Sequence, residues 1–67
     1  MSSPVLVTGA LGNVGRLVVG QLLEAGQAVR AADIDPLAIP ERLAPEVAAV
    51  RFDFTDAATW PAAFRGV

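Results

Sequence analysis

The sequence contains no cysteine, histidine, tyrosine or lysine, and each absence removes a class of chemistry. Without cysteine there is no disulfide, and without cysteine or histidine there is no thiolate- or imidazole-bound structural metal. A core of this size rarely supplies more than about 3–5 kcal/mol without such a staple. Charge is sparse too, at 18%, and all the basic residues are arginines, scattered at 16, 30, 42, 51 and 65. A net charge of -2 without a basic cluster argues against a nucleic-acid or anionic-membrane partner. The apolar runs fall far short of the roughly 20 residues that a membrane span needs. The opening Met-Ser-Ser-Pro lacks the basic and apolar regions of a signal peptide. These absences lead to the expectation of a soluble, cytoplasmic protein.

What is present is apolar. At 54% hydrophobic the chain is too greasy for disorder. Its 67 residues allow one small domain, burying only about 60% of the surface that the unfolded chain exposes. A short chain of this composition reads as part of a larger core.

Val5-Leu6-Val7 is continuously apolar and ends in Thr8-Gly9. Continuous rather than alternating hydrophobicity predicts a strand buried on both faces, as in a parallel sheet. From Asn13 the period changes, and a helix is expected from there to Ala25, with Val14, Leu17, Val18, Leu22 and Ala25 as its apolar face. Gly26 supplies the stop. Ala28 to Ala32 predicts a second strand ending at Asp33. Three prolines between Asp35 and Pro45 leave room for a loop and a turn or two of helix near Glu41 to Leu43. Val47 to Phe52 predicts a third strand. A last helical pattern starts at Thr55 or Asp56, with Trp60, Phe64 and Val67 on one side. Pro61 would break a helix begun at Asp56, so either a kink or a true start near Thr59 is expected. Strands alternating with helices predict an α/β fold, a partial Rossmann arrangement β-α-β-β-α over residues 1–67. Its parallel three-stranded sheet should run in the order 3-2-1.

The turn between the first strand and the first helix reads Gly9-Ala10-Leu11-Gly12-Asn13-Val14-Gly15. Gly9 permits the sharp turn, Gly12 lets backbone approach a pyrophosphate, and Gly15 lets the helix pack closely. The helix N-terminus then offers unpaired N–H groups and partial positive charge to phosphates. Three glycines alone are a weak signal. A second comes from Asp33, which ends the second strand where a dinucleotide site needs a carboxylate for the adenosine ribose, about 20 residues past the glycines. Such a carboxylate repels a 2′-phosphate, which favours NAD over NADP. Asp35 is the poorer candidate, since Asp-Pro more naturally starts a turn. A third signal is Asp53-Phe54 at the end of the third strand: the carboxylate could accept from an adenine amino group and the next N–H donate to the ring. The plainer alternatives stay open: Asp33 as a solvated strand end, Asp53 as a brace for the following helix, and Thr8 and Asn13 as braces of the turn.

The pattern Thr8-Gly9-x-x-Gly12-x-x-Gly15, then Asp33, then Asp53-Phe54-Thr55-Asp56, resembles the extended short-chain dehydrogenase/reductases, the NAD-dependent epimerase/dehydratase family. The likeness spans this chain but only about the first quarter of such a protein. It implies cofactor contacts from Gly9, Gly12, Gly15, Asp33, Asp53 and Phe54, with Ala10, Leu11, Asn13, Val14 and Ile34 lying between or beside them. Related NmrA-like proteins often carry an arginine for NADP where this chain has Ile34. The family's catalysis uses a tyrosine and a lysine four residues apart, and this chain has neither. Nor does any spacing among Ser2, Ser3, Thr8, Thr55 and Thr59 suggest an activated nucleophile. The chain is therefore expected to be the cofactor-binding segment of an NAD-dependent oxidoreductase or epimerase, inactive by itself. The alternatives are a non-catalytic NAD(P)-binding sensor or docking module, or a purely structural interaction domain. An unpaired, apolar first strand would favour self-association or completion of the sheet by a partner.

Overall fold

The computed structural model describes residues 3–45 and 47–67. Met1 and Ser2, and with them part of the reading of the N-terminus, lie outside the described residues. The chain runs β1 (Val5–Thr8), α1 (Asn13–Glu24), β2 (Val29–Asp33), a 3-10 turn (Pro36–Ala38) leading into α2 (Ile39–Arg42), β3 (Ala48–Arg51), a second 3-10 turn (Ala57–Thr59), and α3 (Trp60–Phe64). The strands form one parallel sheet in which β2 is central, pairing Val5 with Val29 on one side and Arg30 with Ala48 on the other. The expected α/β class and strand order are both present. Among the described residues no helix is long and apolar enough to cross a membrane.

The sheet carries an apolar core on each of its two faces. Val7, Val29 and Ala31 pack on one side with Val19 of α1, Ile39 of α2 and Val47. Ala32 and Phe52 pack on the other side with Ala63 of α3, and Leu6 and Val50 flank them. This alternation explains why the first strand shows no polar period. The carboxyl ends of all three strands point the same way, so the loops that follow them gather at one end of the sheet.

Two local expectations are met. Gly26 stops α1 in the left-handed conformation at φ 76°. Pro61 occupies the first turn of α3, where its missing N–H costs nothing, so the helix begins at Trp60 with Thr59 as its N-cap. Asp56 caps only the preceding 3-10 turn, its side chain accepting from the Ala58 N–H. The apolar face assigned to α1, by contrast, is wrong. Val14 is 74% exposed, Leu17 65% and Val18 40%, whereas Val19 is buried and Leu22 and Leu23 pack beside it. The helix meets the sheet along Gly15, Val19, Leu22 and Leu23, a stripe that starts at the one residue without a side chain. Its strongly apolar residues surround most of the helix, so periodicity could not choose among them.

α3 is held from below as well as by packing. The Arg30 guanidinium reaches up from β2 and donates to the carbonyls of Ala63 and Arg65, the last of which lies just past the helix. These are among the orphan acceptors of a helix C-terminus.

Candidate functional site

The turn after β1 is built as its glycines demand. Gly9 takes φ 61°, a left-handed conformation that reverses the chain at the strand end. Gly12 is the N-cap of α1 in an extended conformation, and its N–H donates to the Gly9 carbonyl at 3.0 Å. A Cβ on Gly15 would lie 2.1 Å from the Gly9 carbonyl oxygen, so the first helical turn rests directly on the backbone of the loop. The close approach is to the turn itself. No side chain caps α1, and its first turn holds no acidic residue. Its leading N–H groups therefore have no intrahelical acceptor and face outward with the positive end of the helix dipole.

Asp33 fastens this turn to the end of β2. One carboxylate oxygen accepts from the Leu11 N–H at 3.0 Å, and the other accepts from the Ile34 N–H at 2.7 Å. The Ala10 N–H donates to the Ala32 carbonyl at 3.1 Å, a second tie between turn and strand. Asp33 is thus a brace, which is more than a solvated strand end. Each of its oxygens still has room for a second donor, so bracing and ligand binding are compatible.

Asp53, two residues past β3, sits in a denser local network. Its Oδ1 accepts from both the N–H and the hydroxyl of Thr55, at 2.9 and 2.7 Å, and Arg51 lies 3.7 Å from Oδ2. Its carbonyl accepts from the Trp60 indole N–H at 2.9 Å, and its own N–H donates to the Thr59 hydroxyl at 3.0 Å. The bracing alternative for Asp53 is therefore realised. The Phe54 N–H, in contrast, donates to no acceptor among the described residues. The Phe54 ring is 70% exposed and meets Phe52 edge-on at 4.8 Å.

The hydrogen bonds from Thr55, and to a lesser extent the Arg51 guanidinium, hold the Asp53 carboxyl below its ordinary value of 3.8. A carboxyl depressed in the folded state stabilises fully above the unfolded value, from about pH 5 upward, and loses that contribution as pH falls through and below 3.8. Thr55→Val removes the larger cause and should move the Asp53 titration upward. Carboxyl-carbon NMR across pH 2 to about 6 reads this directly. An unshifted midpoint would show that the hydroxyl is not responsible.

Gly9, Asp33, Ile34, Phe52, Asp53, Phe54 and Thr55 together line one open cavity of about 300 Å³ across the strand ends. Five of the residues picked out from the sequence thus converge on it. Ala10 is fully buried under the turn, and Val14 is exposed on α1 without reaching this cavity. Leu11 and Asn13 instead border a second cleft of about 400 Å³ with Arg16, Arg42 and Leu43, between α1 and α2. Three features here carried no signal in the sequence: the cleft's two arginines, the Trp60 clasp on Asp53 and the Thr59 hydroxyl. Each joins residues from separate elements, or depends on how α3 is seated. No family model matches this chain, and no curated protein or solved structure is similar enough to count as a match.

Proposed function

We propose that this chain binds the adenosine diphosphate half of NAD, as the cofactor-binding segment of an oxidoreductase or epimerase of the extended short-chain dehydrogenase type. The observation that supports it best is the shared cavity, where a largely apolar slot between Ile34 and Phe54 lies beside Asp33, Gly9 and the free Phe54 N–H. The slot suits a flat purine. Asp33 stands where a ribose diol would be, and the uncapped start of α1 lies where the pyrophosphate would follow. Ligands of α/β sheets bind in this position, outside the carboxyl ends of the strands. On this reading the chain works in the cytoplasm, in keeping with its lack of cysteine.

A non-catalytic sensor or docking module is the second reading, and one observation favours it. The chain has no tyrosine, lysine or histidine, and so lacks the tyrosine–lysine pair on which the catalysis of that family rests.

Trp60, the only tryptophan, donates its indole N–H to the carbonyl of Asp53, a residue that lines the cavity, so its emission is expected to change on occupancy. Titration should show NAD and ADP-ribose binding with affinities within about threefold of each other, because nothing here reaches a nicotinamide ring. Absence of binding at millimolar NAD would sink both readings. NAD binding much tighter than that of ADP-ribose would mean the ligand sits elsewhere.

A further inference from the structure

α1 and α2 pack on the same face of the sheet, and a cleft runs between them in two adjoining parts. One part, of about 290 Å³, is walled by Leu17, Val19, Gly20 and Leu23 of α1. The other, of about 400 Å³, opens toward Leu11 and Asn13 at the start of the same helix. Arg16, Arg42 and Leu43 border both. Every wall belongs to α1, α2 or the residues flanking them, and none of these residues lines the cavity at the strand ends. The cleft therefore stands on elements already in place, whatever pairs with the open side of β1.

The two parts differ in chemistry. Arg16, Gly20 and Leu23 follow one flank of α1 at helical spacing, so a cation gives way to a gap and then to an apolar side chain. A Cβ on Gly20 would have no atom within 4 Å, which leaves the wall recessed there. Arg42 ends α2 and brings a second guanidinium to the same cleft. Both salt bridges among the described residues are made by Arg51, so neither cleft arginine is neutralised by a carboxylate there. Arg16 makes one long contact, donating to the Asn13 side-chain oxygen at 3.5 Å, and a guanidinium carries five donors. In a chain of net charge -2 this is a positive spot set against apolar walls.

We propose that the cleft binds a small apolar acid, its carboxylate between Arg16 and Arg42 and its hydrocarbon chain running along Gly20 toward Leu23. Guanidinium groups pair with carboxylates through parallel N–H donors, and two of them on separate helices fix which way the chain points. The dimensions select a small molecule. At 1.5 Å per residue Leu23 lies about 10 Å beyond Arg16 along α1, close to the extended length of octanoate. Both parts have volumes near the lower bound of about 300 Å³ for small-molecule sites, and together they show the usual pattern of apolar walls with a few polar groups. A polypeptide partner needs a face of about 800 Å², far broader than this slot. A bare phosphate would leave the apolar part unused.

Titration of the isotope-labelled chain with octanoate, followed by amide NMR, should shift Arg16, Gly20, Leu23 and Leu43 in one saturable transition. Phe54 and Trp60, across the sheet, should not move. Hexanoate, shorter by two CH2 groups, should bind about threefold to tenfold more weakly, since an open cleft covers each group only in part. Arg16→Gln and Arg42→Gln should each weaken octanoate binding about threefold, as exposed charge pairs do, and together about tenfold. Gly20→Leu fills the recess with no clash at its Cβ, so it should weaken octanoate at least about tenfold while the thermal midpoint holds. Far-UV circular dichroism checks that each variant is folded. Octanol binding as tightly as octanoate would show that the arginines take no part, and inorganic phosphate binding as tightly would assign them to a different anion. Either result overturns the proposal. So does a Gly20→Leu chain that binds octanoate as the parent does, a set of shifts centred on Phe54 and Trp60, or no response at millimolar octanoate. No arm contains NAD, so failure here and failure to bind cofactor are separately visible.

Discussion

Gly15→Ala should lower the thermal midpoint of this chain by well over ten degrees, whereas Gly20→Ala in the same helix should raise it. At position 15 an added Cβ would lie 2.1 Å from the Gly9 carbonyl oxygen, 2.8 Å from its carbon and 2.9 Å from the Ala10 Cα. All three are backbone atoms, so no rotamer change relieves the clash. The turn cannot retreat, because Ala10 is fully buried with its N–H tied to Ala32, and the Gly9 carbonyl is held by Gly12. Overpacking of this kind costs about 1–3 kcal/mol and sometimes more. The whole chain has about 3–5 kcal/mol to lose. Position 20 is the internal control: it sits mid-helix with nothing within 4 Å of a new Cβ. Alanine there should gain about 0.5–1 kcal/mol from a less flexible unfolded chain and better helix propensity. For a domain this small that is several degrees in Tm. Thermal melts followed by circular dichroism compare the two, and a Gly15→Ala chain that melts like the parent would refute the contact at the turn.

Gly15 also shows where the sequence was legible and where it was not. A continuous apolar run that changes to helical spacing at Asn13 marks a strand–turn–helix unit, because backbone geometry alone sets those two periods. Pro61 was legible for a similar local reason: a missing N–H is harmless only in a helix's first turn. The packed face of α1 was not, since Val14, Leu17, Val18, Val19, Leu22 and Leu23 are all apolar and together cover most of the circumference. The glycine held the missing clue. A helix approaches most closely where it lacks a side chain, and stepping from Gly15 by four, seven and eight residues reaches Val19, Leu22 and Leu23. The candidate site divides in the same way. Asp33 and Asp53 could be located because parallel strands deliver their carboxyl ends to one side. The hold of Thr55 on the Asp53 carboxylate is a local turn contact two residues apart, whereas the closing of Trp60 over the Asp53 carbonyl depends on the seating of α3 against β3, which leaves no trace in spacing.

Asp33→Ala is expected to change both stability and ligand preference, and the two effects separate by comparison with Asp33→Asn. In the folded chain the carboxylate satisfies the part-buried Leu11 N–H and the Ile34 N–H at once. Alanine leaves the Leu11 donor without its partner, at a cost of about 1–3 kcal/mol. Asparagine keeps one carbonyl oxygen for Leu11 but presents its amide NH2, a donor, toward the Ile34 N–H, so its loss should be smaller. Binding responds differently, because a ribose diol donates to charge as well as to shape. Removing a charged acceptor from two hydroxyls costs about 1.5–3 kcal/mol, a fall in NAD affinity of about tenfold to a hundredfold in either variant. NADP escapes this loss, because its 2′-phosphate faces repulsion from Asp33 in the parent and relief in both variants. The ratio of NAD to NADP affinity should therefore collapse in Asp33→Asn even where the melt is close to that of the parent. Trp60 emission titrations with both dinucleotides, beside thermal melts, measure the two effects on the same samples. If Asp33→Asn binds NAD as the parent does, Asp33 is a brace for the glycine turn and the ribose is held by something else.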